Sequence, residues 1–249
     1  MISPIQKNKI KKSIIDKFNK IFQNNSTDLL KKSKKSDNTI VTEIDIFVSN
    51  LIKEELHKNS KFSFFSEEDH TELNYPSMIL DPIDGTRELA QGFPECALSL
   101  AFMEDPSISK GWGWIFNPFT GFDISSDNEF FISPNYKSEP LVGFVSRSEW
   151  EGGLFNNDES LGSIRFIPRG SIAFKLGLLA CGACDFVLTK KPKSIWDIAA
   201  GTILCEKKGH FLFHKGKKVS LLDKSRFDGP LYWCREEHSS KIKNFFNFQ

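Results

Sequence analysis

The 249-residue chain predicts a layered α/β protein, and three observations carry that expectation. Short apolar runs suited to strands alternate with stretches of helical periodicity, without the strict period of a βαβ array. Turn signals such as Glu104-Asp105-Pro106 and Asn117-Pro118 bound the apolar runs. Apolar residues make up 39% of the chain, with 24 phenylalanines among them, enough to fill a sizeable core.

Taken in order, Ile10, Ile14, Phe18, Ile21 and Phe22 recur at helical spacing with lysines between them, predicting an amphipathic helix from about Pro4 to Gln23. Such a helix packs on its own domain more often than it lies on a membrane. Lys31 to Lys35 cannot build core; it reads either as a solvated loop or as a flap that attracts an anionic substrate. Ile40 to Asp45 begins the next ordered segment, and Asp45 opens a helix running to Leu56, in the plainest account as its N-cap. Phe62 to Phe65 is a short strand ending in Ser66-Glu67-Glu68-Asp69. Successive acids repel one another unless water or a cation neutralises them.

Met78-Ile79-Leu80 reads as a buried strand, and the stretch after it, Asp81-Pro82-Ile83-Asp84-Gly85-Thr86, organises the rest of the chain. Two carboxylates on a turn fixed by proline can converge on one hard cation. Gly85 lets the backbone approach a ligand closely, and Thr86 offers a hydroxyl in the first turn of a helix through Ala90. A divalent metal and a phosphate sharing one site is one reading. A tight strand-to-helix turn with a threonine cap is the other.

Cys96 to Met103 and Gly111 to Phe116 are expected as buried strands, and Asp123 to Ser133 as a less regular strand and turn region. Proline and polar residues between Asn135 and Pro140 suggest a division into subdomains 1–137 and 138–249. Leu141 to Val145 opens the second half as a strand, followed by a loop over Gly152 to Asn157. Arg169-Gly170-Ser171 leads into a helix through Phe174 and Leu179, and Asp185 to Leu188 is a buried strand. Lys190-Lys191-Pro192-Lys193 is a basic turn, and Ile195-Trp196-Asp197 starts a helix that reaches Glu206. Phe211-Leu212-Phe213 and Leu231-Tyr232-Trp233 are late strands.

The 33 lysines and arginines nearly cancel the 32 aspartates and glutamates, which removes any global case for nucleic acid or an anionic membrane as partner. Lysines interrupt every apolar run near the N-terminus, and no window approaches the ~20 apolar residues of a membrane helix. A soluble cytoplasmic protein is expected. The five cysteines are an odd number in largely apolar surroundings, as for free thiols in a reducing compartment. Cys181 and Cys184 have CxxC spacing, but no second pair completes a zinc site.

Val41-Thr42-x-x-Asp45, Ser66-Glu67-Glu68, Asp81-Pro82-Ile83-Asp84-Gly85-Thr86 and Trp196-Asp197-x-Ala199-Ala200-Gly201 occur in one order, and together they resemble the signatures of the inositol monophosphatase family. The resemblance runs roughly from Val41 to Gly209. It implies an αβαβα sandwich like that of fructose-1,6-bisphosphatase, and hydrolysis of a phosphate monoester with two or three magnesium ions. By position, Glu67, Asp81, Asp84, Asp197 and the backbone carbonyl of Ile83 would hold the metals. Glu67 and Thr86 would orient and activate the attacking water, while Asp45 would support Thr86 and a more weakly held ion. The amides of Gly85 and Thr86 would bind the phosphate, with the helix starting near Ser171 aimed at it. Lithium inhibition and a homodimer are further implications.

Elementary chemistry agrees with that assignment. A phosphate dianion is repelled by carboxylates until cations fill the site. Asp81 and Asp84 are not spaced as the Asp-x-Asp of aspartyl-phosphate enzymes, and no cysteine is followed six positions later by arginine, so direct attack by water is expected. Substrate recognition departs from the inositol pattern. Lys190 stands where the family carries an acid that meets sugar-like hydroxyls, and a cation there suits a second anionic group. Val145-Ser146-Arg147-Ser148 and Gly85-Thr86-Arg87-Glu88 resemble the related 3′-phosphoadenosine 5′-phosphate phosphatases, yet Glu149 occupies the place of their histidine. A small phosphorylated metabolite of the inositol-phosphate or sugar-phosphate kind therefore ranks ahead of a bisphosphorylated nucleotide. A catalytically silent binding homologue is the rival from another class.

Overall fold

The computed structural model describes residues 2–23, 33–34, 40–41, 43–57, 61–69, 72–128, 139–155 and 162–246. Most of Lys31–Lys35, the stretch 129–138 holding most of the expected boundary, and the end of the 152–157 loop lie outside the described residues. Ser33–Lys34 pairs antiparallel with Ile40–Val41.

The first half builds α1 (Pro4–Gln23), α2 (Glu43–Ile52, continued by a π turn at Lys53–His57) and a five-stranded sheet. Its strands are β1 (Ser63–Ser66), β2 (Ser77–Asp84), β3 (Ala97–Met103), β4 (Trp112–Phe116) and β5 (Asp123–Ser125), side by side in that order. Only β1 and β2 are parallel. The short helix α3 (Thr86–Ala90) follows β2.

The second half builds β6 (Leu141–Ser146), α4 (Arg147–Glu151), β7 (Ile164–Arg169), α5 (Ile172–Ala180), β8 (Phe186–Thr189), α6 (Ile195–Lys207), β9 (Phe211–His214), β10 (Lys217–Lys218), β11 (Leu231–Cys234) and α7 (Glu236–Phe245). These six strands form a mixed sheet ordered β10-β9-β11-β8-β6-β7, and two further short strands, Lys193–Ser194 and Arg226–Phe227, pair antiparallel with each other.

Strand alternation sorts side chains into layers. Phe64, Met78, Leu80, Leu98, Leu100, Trp112 and Trp114 face outward and bury Ile10, Ile14 and Phe18 of α1 with Ile44, Val48 and Ile52 of α2. Their neighbours Phe65, Ile79, Ala97, Ala101 and Ile115 face inward onto α5 and α6. Small residues let the helices come close: a Cβ on Gly113 would stand 2.6 Å from the carbonyl oxygen of Ala200. Beyond α5 and α6 lies the second sheet, whose Val187, Leu231 and Trp233 share that central core. Its far face buries Phe186, Leu188 and Tyr232 with Phe155 and Ile242 of α7. The result is the expected αβαβα sandwich.

The basic face of α1 is spent on its own domain. Lys7 bonds Asp127 at 2.7 Å and Lys11 bonds Asp123 at 2.6 Å, both beside the edge strand β5. Among the described residues, no helix is long and apolar enough to cross a membrane. All five thiols are free.

Candidate active site

Alternation alone would send Asp81 and Asp84 to opposite faces of β2, because they are three positions apart, an odd offset. The register with β3 prevents this: Asp81 pairs with Ser99 and Asp84 with Ala97, three steps on one strand against two on the other. The extra residue is a β-bulge at Pro82-Ile83, where proline brings no N–H to the ladder. Ile83 is thereby turned into the outer core beneath α1 and α2, and both carboxylates reach one side.

Asp197 joins them from the second half. One carboxylate oxygen from each of Asp81, Asp84 and Asp197 lies within 4.8 Å of the other two. Each is oriented by different means. Asp84 Oδ2 accepts from the Ser171 hydroxyl and from the amide of Ala173, both at 2.6 Å. Asp197, in the first turn of α6, accepts from the Ser194 amide at 2.9 Å, one half of a capping box. Asp81 is 1% exposed, and its Oδ1 has no hydrogen-bond partner among the described residues.

Three acids in so small a space disfavour their charged forms. Burial first, then the charges of Glu67, Asp84, Asp197 and Asp45, push the Asp81 carboxyl well above the usual carboxylate range. Burial, followed by the charge of Asp84, pushes Asp197 up to about 7, against a smaller opposing pull from Lys193. Glu67 lies outside the tight group, in the turn after β1, where its amide bonds the Leu80 carbonyl at 3.2 Å; its charge nevertheless reaches both aspartates. Asp45 is not the N-cap of α2. The helix begins at Glu43, which leaves Asp45 in its first turn, 1% exposed and felt by Asp81.

The turn after β2 is equally specific. Gly85 has φ 93°, a left-handed conformation that favours glycine, and a Cβ there would stand 2.7 Å from the Glu95 carbonyl oxygen. Gly85, not Thr86, is the N-cap of α3, so the threonine-cap reading fails and Thr86 is the first helical residue. Ser171 caps α5, accepting from the Phe174 amide at 3.0 Å while donating to Asp84. The N-termini of α5 and α6 thus meet at the carboxylates, and each favours negative charge.

Lys190, expected as a substrate contact, follows the last residue of β8. Its ammonium donates to the Leu154 carbonyl at 2.7 Å and lies 4.6 Å from the centroid of Phe155, a ring of the outermost core. A carbonyl and an aromatic face within reach both favour a cation. Glu149 is spent similarly: 1% exposed, it accepts from Thr189 Oγ1 at 2.5 Å and from the amides of Lys190 and Lys191 at 2.8 and 3.2 Å.

Two further features escaped the sequence reading. Glu95 fastens the loop before Ser171, accepting from Arg147, from Arg169 at 3.0 Å and from the Gly170 amide at 2.7 Å. Lys175 is 2% exposed and donates to the carbonyls of Arg169 and Gly170 at 3.1 and 3.5 Å. Burial pushes it down to about 8, opposed by the charges of Asp84 and Glu88. Its signal was present: it is the one charge in the otherwise apolar run Ile172–Ala180.

The family model described as the inositol monophosphatase family matches residues 4–233. The chain is 28% identical over 197 residues to a fructose-1,6-bisphosphatase/inositol-1-monophosphatase of Thermotoga maritima, covering 75% of this chain and 76% of that protein. Among solved structures, the extragenic suppressor protein suhB of Bartonella henselae superposes with a TM-score of 0.72 at 24% identity, covering 95% of this chain and 93% of that one. A structure titled IMPase/NADP phosphatase complexed with Mg2+ and phosphate superposes with a TM-score of 0.71 at 16% identity, covering 96% and 92%.

Proposed function

The chain belongs to the inositol monophosphatase family, and from that premise we propose that it is a magnesium-dependent phosphomonoesterase acting on a small phosphate ester of the inositol-phosphate or sugar-phosphate kind. The observation that carries the reading is the convergence of Asp81, Asp84 and Asp197, with a buried Asp81 oxygen left without a partner among the described residues. An all-carboxylate donor set suits a hard cation such as magnesium and does not suit a soft one. Such a cluster costs stability unless positive charge fills it.

Asp81, Asp84, Asp197, Glu67 and the Ile83 carbonyl are the groups that would hold two or three ions. Bound magnesium supplies charge that neutralises the phosphate and acidifies a water molecule. The remaining work falls to the chain. Ser171 and the Ala173 amide hold Asp84 in one orientation, and Ser194 does the same for Asp197. The amides of Gly85 and Thr86 would donate to phosphate oxygens. Glu67 and Thr86 would orient the attacking water, the Glu67 carboxylate would take its proton, and Asp45 would support Thr86. The α5 and α6 N-termini favour the charge that accumulates on the phosphoryl oxygens. Lithium sensitivity and a dimer belong to the same proposal.

The test is phosphate release from inositol 1-phosphate and fructose 1,6-bisphosphate, with and without magnesium. Asp84→Asn keeps the shape of the acceptor and removes its charge; turnover is expected to fall at least about a thousandfold while the circular dichroism spectrum is unchanged. Magnesium-dependent turnover surviving in that variant refutes the ligand assignment.

A further inference from the structure

Lys175 is an ammonium buried in the first turn and a half of a helix, where burial and the helix dipole both oppose it. Its side chain runs back toward the helix N-terminus, as helical side chains do, and meets the carbonyls of Arg169 and Gly170. Those carbonyls belong to the two residues before Ser171. Ser171 has φ 48°, a left-handed conformation that a non-glycine residue rarely adopts. In that conformation its hydroxyl reaches Asp84 Oδ2. On the other side of the loop, Glu95 holds the Gly170 amide and the Arg169 guanidinium.

We infer that Lys175 is a positioning residue: by holding the carbonyls of Arg169 and Gly170 it keeps Ser171 in the strained turn from which the hydroxyl orients Asp84. An apolar residue would fill the same volume of α5 and leave the Arg169 and Gly170 carbonyls without that donor, so the loop would relax and Ser171 would withdraw. The consequence for turnover rests on the phosphatase reading above; the consequence for the loop does not.

Two experiments test it. The first is a double-mutant cycle on the magnesium-dependent hydrolysis of inositol 1-phosphate with Lys175→Met and Ser171→Ala. Lys175→Met alone is expected to lower kcat about tenfold to a hundredfold with KM moved less than about threefold, and to cost less than about threefold once Ser171→Ala is present. Losses that multiply independently overturn the inference. The second is amide hydrogen exchange in EDTA, which needs no activity. Lys175→Met is expected to speed exchange at Ala173 and Phe174 at least about tenfold while Leu98, Leu100 and Val187 keep their protection. Acceleration spread evenly over all of these, or absent at Ala173 and Phe174, overturns it. If Lys175→Met does not fold, Lys175→Gln, which keeps a donor without the charge, enters both experiments in company with Lys175→Leu, and retained protection in Gln but not in Leu is the supporting result; equal protection in both overturns it. A wild-type chain without phosphatase activity defeats the functional proposal alone, and the exchange experiment then decides the role of Lys175.

Discussion

Replacing Asp197 with asparagine is expected to stabilise the metal-free protein near neutral pH while removing its turnover. The carboxyl of Asp197 rises from 3.8 in the unfolded chain to about 7 in the folded one, burial being the larger cause and Asp84 the next. A raised acid binds its proton more tightly when folded, so this group's contribution is fully present below about pH 4 and is lost as pH climbs through about 7. At roughly 1.4 kcal/mol per unit, the span corresponds to at most about 4 kcal/mol for this half-buried group. Asparagine cannot charge, and its amide oxygen can still accept from the Ser194 amide, so the helix cap survives. In a chain of this size that energy is worth roughly 10 °C of thermal midpoint. The assay is thermal unfolding in EDTA from pH 4 to 8, wild type beside variant. The two curves should converge near pH 4 and separate toward pH 8, with the variant higher and its slope shallower; some slope remains because Asp81 is shifted in the same direction. Adding magnesium should raise the wild-type midpoint more than that of the variant. Parallel pH profiles, or a variant less stable than wild type at pH 8 in EDTA, would refute the argument that mutual repulsion of buried carboxylates is the cost that metal relieves.

Gly85→Ala places a methyl 2.7 Å from the Glu95 carbonyl oxygen at a φ of 93°, and a loss of about 2–3 kcal/mol in urea unfolding is expected, with turnover falling further than stability explains. Glu149→Ala strips the acceptor from Thr189 and from the amides of Lys190 and Lys191, all at the end of β8. Urea unfolding should show a loss of about 3 kcal/mol, with kcat per folded molecule within about threefold of wild type; a collapse in kcat instead would bring this turn into the active site.

Much of the architecture was legible because core strands and helices carry strong periodicity. Helix α1 runs over the predicted Pro4–Gln23, and the strands at Leu141, Phe186 and Leu231 start within a residue of expectation. The unread elements are those whose burial is one-sided. Strand β7, at the sheet edge, alternates apolar residues with arginine and ends in Pro168-Arg169, so it carries neither a continuous run nor a clean period. Helix α7 buries only Ile242 among its ten residues, too little for a periodic signal.

By itself the sequence determined which residues bear charge at the ends of apolar elements, and it determined that Pro82 must interrupt a ladder and that Gly85 must turn. Those are local properties, set by covalent geometry and solvation. That Asp81 and Asp84 point the same way depends on a one-residue slip against β3, and that Asp197 meets them depends on α6 packing over small residues of the first sheet. Lys190 and Lys175 show the division most plainly. Both are lysines beside a motif, and only the three-dimensional packing turned one onto an aromatic ring and a carbonyl, and drew the other under the loop that holds Ser171. A cation goes to whichever partners the fold brings within about 3 Å of it, and nothing local in the chain records which those are.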